Sequence, residues 1–116
     1  MKRLLFAALA FLPMSTAAQT VEQRNAIKHI AEASVLADLC PSMKLNNDRM
    51  LLIAVTYRLG QGDPENGPIA KAMRAARLKA EADVKPLVGQ SDAACAMAFL
   101  MFGPAGGNVP DLLVKR

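Results

Sequence analysis

A chain of 116 residues with 53% apolar and 21% charged residues supplies one domain and is too apolar to read as disordered. One His, two Cys, one Tyr and no Trp exclude a multi-ligand zinc site, a c-type haem attachment motif and an aromatic base-stacking platform. The formal charge of +4 drops to +2 if Lys2 and Arg3 are removed, since Lys+Arg falls from 14 to 12 against 10 Asp+Glu; no nucleic-acid partner is expected from so weak a field.

Lys2 and Arg3 open what reads as an export signal. The apolar stretch Leu4 to Met14 follows, and then the small residues Ser15-Thr16-Ala17-Ala18, as a signal peptidase requires. The stretch is shorter than the roughly 20 apolar residues of a transmembrane helix. Residues 1–18 are therefore expected to be removed, leaving a folded domain over 19–116 with no transmembrane segment. A retained anchor and a buried N-terminal helix are the alternatives. The expected location is periplasmic or secreted.

Export decides how the cysteines are read. In an oxidising compartment a Cys pair in a small domain is a structural bridge more often than a reactive site. Cys40 and Cys95 form no C-x-x-C motif, and as a disulfide they would close a loop of 55 residues. In the chain-entropy model such a loop stabilises by roughly 4 kcal/mol.

Four helices are expected in the mature chain. The first spans Thr20 to Leu39, with Ile27, Ala31, Val35 and Leu39 at helical spacing and Pro41 fixing its end. Asn46 or Asn47 caps a second helix that runs to about Leu59 and stops at Gly60. Met50, Leu51, Ile53, Ala54, Val55 and Tyr57 make this helix apolar around most of its circumference, which predicts a central position; a buried strand over Leu52 to Tyr57 is the alternative. Gly60 to Pro68 is a loop, and Pro68 starts a third helix that reaches about Lys85, with Ile69, Met73, Ala76, Ala80 and Val84 on a narrow apolar face. The fourth runs from a Ser91 cap to Gly103-Pro104 and is almost entirely apolar. A turn at Gly106-Gly107 and a short helical turn begun by Pro110 bring Leu112, Leu113 and Val114 to the core. The expected fold class is all-α: a compact four-helix domain with two apolar helices inside, two amphipathic ones outside and one disulfide.

Few residues offer chemistry. His29 is the sole ring base, and a catalytic reading would need Ser34, Ser42 or Ser91 beside it with an orienting carboxylate. No spacing signature assembles them, and the carboxylates are scattered over caps and polar faces, so no catalytic residue is assigned. Met97 and Met101 share a helix face and could present thioethers to Cu(I), but methionines within apolar runs are read as core filling. No metal ligand and no cofactor is assigned. The most distinctive surface is the third helix, where Lys71, Arg74, Arg77 and Lys85 lie within an arc of about 120° opposite the alanines. That face would suit an envelope protein or an anionic surface; the alternative is a solvated face with an ordinary Arg77–Glu81 pair.

Cys40-Pro41 after an amphipathic helix, the basic helix, Cys95 opening an apolar helix, and an ending from Gly106-Gly107 through Leu112-Leu113 to Arg116 resemble small uncharacterised exported two-cysteine helical proteins of Gram-negative bacteria. In architecture the chain is also similar to HdeA-type periplasmic acid-stress chaperones, small helical proteins with one long-range bridge, from which it departs in having Leu39 before the first Cys and Pro41 after it. The resemblances imply an extracytoplasmic helical domain. The expected function is a non-enzymatic protein that binds a macromolecule or assembles with itself, with a stress chaperone that exposes its second and fourth helices on destabilisation as the alternative.

Overall fold

Helix α1, Val21–Leu39, is fixed at both ends by its own sequence. Thr20 Oγ1 accepts from the Gln23 amide and Gln23 Oε1 accepts from the Thr20 amide, both at 3.0 Å, a reciprocal capping box. Cys40, restricted by Pro41, is extended and ends the helix. The computed structural model describes residues 20–60 and 67–116; the expected signal over 1–18 and the loop residues 61–66 lie outside the described residues.

Burial on α1 is not confined to one stripe. Ala26, Ile27, Ile30, Ala31, Ala33, Val35, Leu36 and Ala37 are all buried, and helices from two sides pack on them. The first helix is thus the axis of the domain, where an outer amphipathic helix was expected. Its alanines are the reason: with no side chain beyond Cβ they let neighbouring backbones approach closely.

The converse holds for α2, Asn47–Thr56, which was expected to be central. None of its residues is buried, and Leu51, Leu52 and Val55 are 62%, 55% and 68% exposed. Asn46 caps it, accepting from the Arg49 amide at 3.2 Å. The helix stops before Gly60, because Arg58 takes the left-handed conformation at φ 58°. The Leu59 amide then donates to Ala54 O and the Arg58 amide to Val55 O, at 2.8 and 3.3 Å, the hydrogen-bond pattern of a Schellman ending. That turn directs Leu59 inward, where it is buried with Ile27 and Ile30.

Helix α3, Pro68–Asp83, begins with proline at its first position as expected, and lays Ala72, Met73, Ala76 and the buried Ala80 against α1. Beyond it Pro86 sits in a 3-10 turn, Lys85–Leu87. Helix α4, Ser91–Phe102, follows with Ser91 as its first helical residue and no side-chain cap. Only a narrow stripe of it, Ala94, Ala98 and Phe102 at i, i+4 steps, is buried.

A two-stranded antiparallel sheet departs from the all-α expectation. β1, Met43–Leu45, pairs with β2, Leu113–Lys115, so that Lys44 faces Val114. The tail after Pro110 is a strand and not a helical turn because Asn46 holds it: its amide donates to Leu112 O at 2.8 Å and its Nδ2 to Asp111 O at 2.9 Å. Leu112 and Leu113 reach the core as expected, fully buried with Phe102, Leu36 and Cys40.

The disulfide closes this core. Cys40 and Cys95 are bonded with Cα atoms 4.9 Å apart, joining the end of α1 to the start of α4 across 55 residues. Among the described residues no helix is long and apolar enough to cross a membrane. Reduction should lower the unfolding free energy by about 2–5 kcal/mol. Urea unfolding followed by helical circular dichroism, with and without reductant, measures this, and coincident curves would show that the bridge contributes nothing to stability.

Candidate functional site

The basic face of α3 is not the uniform cationic stripe that helical spacing implies. Lys71 and Arg74 are exposed on α3, but Lys85 lies beyond its end, in the 3-10 turn. Arg77 is turned toward α1. Its Nη2 donates to Asp38, its Nη1 to Ser34 Oγ at 3.1 Å and its Nε to Glu81 at 3.2 Å. The hydrogen bond to Asp38, opposed by partial burial and helped by Glu81, holds the guanidinium above its ordinary value. A raised value means the stabilisation is fully present below the ordinary arginine range and is lost only as pH rises through the folded value. Arg77 is therefore a clamp between α3 and α1. Lys79 is likewise paired, with Asp83 at 2.9 Å.

The exposed apolar side chains are the larger surface feature. On α4, Met97, Phe99 and Leu100 are 39%, 51% and 69% exposed, and on α2 Leu51, Leu52 and Val55 lie open as well. Of the two methionines considered for Cu(I), Met97 is exposed and Met101 half-buried, so Met97 does not fill the core. Phe99 and Ala96 line an open groove whose rim carries Lys115 and Arg116 from the chain end and Asp92 from the first turn of α4. Scattered exposed hydrophobics are normal on a small protein, whereas these three lie within four residues of one helix.

A third feature lies between α1, α2 and the segment 108–110. It is a cavity of about 330 Å³ into which α1 brings Asn25 and His29, α2 brings Arg49 and Ile53, and the residue that caps α2 brings Tyr57. His29 Nδ1 stands 3.4 Å from Glu32 Oε1, and the ring meets Phe102 edge-on at 6.2 Å between centroids. None of the three serines considered as nucleophiles lines this cavity. Ser34 is bonded to Arg77, and Ser42 Oγ lies 3.4 and 3.5 Å from the sulfurs of the disulfide. Arg49 is a lining residue that no motif in the sequence marks. The usable signal was its spacing, since Arg49, Ile53 and Tyr57 recur at i, i+4, i+8 and so share one face of α2.

The Arg77 clamp predicts an asymmetry across the basic helix. Replacing Arg77 with Ala should destabilise by about 1 kcal/mol, a modest value because the group is partly solvated, while Lys71→Gln should stay within about 0.5 kcal/mol. A double-mutant cycle of Arg77→Ala with Asp38→Ala, read by urea unfolding, should give a coupling of about 0.5–1 kcal/mol; additive losses would contradict the clamp.

Compared with known proteins, the chain matches no protein-family model, no curated protein and no solved structure.

Proposed function

We propose that this chain is an exported, non-enzymatic interaction protein that binds another protein of the cell envelope through α4. The observation that carries the proposal is the exposure of Met97, Phe99 and Leu100 while the same helix is held rigidly from behind by Ala94, Ala98, Phe102 and the disulfide. A preorganised apolar surface loses little conformational entropy on association. Lys115 and Arg116 on the rim favour a partner whose apolar contact is bordered by carboxylates. An oxidised Cys40–Cys95 pair fits a periplasmic or secreted location, and residues 1–18 have the order of segments that export requires.

The basic residues Lys71 and Lys85 have a secondary part in this reading, as long-range attraction for an acidic partner or anionic surface, and Arg77 has none because its charge is matched within the fold. The HdeA-like chaperone is the second reading, favoured by the additional exposure of Leu51, Leu52 and Val55 on α2. In that reading the apolar surfaces stand open without prior destabilisation, so suppression of client aggregation should already occur at neutral pH.

The test is affinity capture from native envelope extract with the wild-type chain and with Phe99→Asp/Leu100→Asp. Because both side chains are more than half exposed, the variant should keep its melting temperature within a few degrees, roughly the shift expected for surface changes. A protein retained by wild type and lost with the variant is the expected result. Retention of the same proteins by both chains would remove α4 as the binding surface, and a second copy of the chain as the sole captured species would make the interaction self-assembly.

A further inference from the structure

Arg49 is a half-buried cation with no ion pair among the described residues. Arg77, similarly placed, is satisfied by Asp38, Ser34 and Glu81. Among the described residues the Arg49 guanidinium has no hydrogen bond and no ion pair, and its Nε is shut off from both water and any acceptor. A buried cationic N–H without an acceptor is unusual, and the Nη donors of the same group stay open at the wall of the cavity, where an anion from outside the fold can reach them.

The fold holds Arg49 in place for that role. Asn46 caps α2 on the Arg49 amide and simultaneously clamps the 111–112 backbone, which fixes the helix start relative to the segment 108–110 on the other side of the cavity. His29 stands on the opposing helix, its Nδ1 3.4 Å from Glu32 Oε1, and lines the same cavity. Ile53, Val109 and the ring of Tyr57 supply an apolar wall. Glu22 also lines the cavity and sets a limit on charge, since a second negative charge on the ligand would meet it.

We infer that this cavity binds a small organic monocarboxylate. The planar guanidinium matches a carboxylate through its paired Nη–H donors, the apolar wall takes the body of the acid, and Glu22 disfavours phosphate and dicarboxylates. A volume of about 330 Å³ limits the body to the size of one ring or a short branched chain. The site is separate from the α4 surface, and neither proposal requires the other.

Benzoate is a suitable probe, titrated into the isotopically labelled, disulfide-intact chain and followed by amide chemical shifts. Saturable shifts around residues 25–29, 49–57 and 108–110, with a dissociation constant on the order of 1 mM, are expected for so small a ligand. Arg49→Gln should weaken binding by about tenfold or more, and Arg49→Lys should restore only part of it, because an ammonium cannot present the paired donors. Arg49→Gln should not lower the melting temperature, since the wild-type guanidinium has no partner to lose. A measurement that needs no variant is phenylglyoxal modification mapped by mass spectrometry: benzoate should protect Arg49 and leave Arg58 and Arg74 reacting as before. Unchanged affinity in Arg49→Gln, equal binding of inorganic phosphate or neutral benzamide, or no protection of Arg49 at saturating benzoate would each overturn the assignment.

Discussion

Burial of the C-terminal half of α1 is the interaction on which the rest of the domain depends. Val35, Leu36, Ala37 and Cys40 meet Phe102 from α4 and Leu112 and Leu113 from the chain end, and the Cys40–Cys95 bond crosses this cluster. A domain of this length buries a smaller fraction of its surface than a larger one, and its core is correspondingly marginal. The bridge offsets that deficit by restricting the unfolded chain over 55 residues. Every other element is placed by reference to this cluster: α3 through Ala80 and the Arg77 clamp, β1 through Met43, and α2 more loosely through the second cluster of Ile27, Ile30 and Leu59.

The same constraint explains why so much apolar side chain is left outside. With α1 surrounded, α2 and α4 each have one covered face and one open face, yet their sequences are apolar on both. A surface helix that needed only to be solvated would carry charge where Leu51, Leu52, Val55, Phe99 and Leu100 stand. The interaction reading of α4 follows from that mismatch between composition and position. The cavity beside Arg49 is the polar counterpart, with one buried N–H of the guanidinium left without an acceptor.

Helix positions were legible in the sequence because their signals are local. Pro41, Asn46, Pro68 and Pro86 act through neighbouring backbone, and the helices begin or end at or beside them. The pairing of the two cysteines was legible by elimination once export was assumed. Which helix lies inside was not legible: hydropathy ranks α2 and α4 above α1, whereas packing favours the alanine-rich helix that others can approach closely. The strand pair was missed because β1 and β2 are three residues each and are selected by long-range contacts from Asn46 and the core, not by a periodic pattern. On α3 Arg77 was placed opposite the alanines, whereas it reaches α1 from the edge of their face; the Asp38 and Ser34 that claim it belong to another helix and leave no trace in local spacing.

Methionine oxidation tests in one experiment whether α1 is the core and whether the apolar face of α4 is open. The disulfide-intact chain is treated with dilute peroxide at a concentration where it is monomeric, and each methionine is followed by mass spectrometry. Met97, 39% exposed on α4, should oxidise first, Met50 and Met101 more slowly, and Met43, 5% exposed against α1, last. Protection of Met97 to the same degree as Met43 would place the apolar face of α4 inside the monomer and contradict the arrangement.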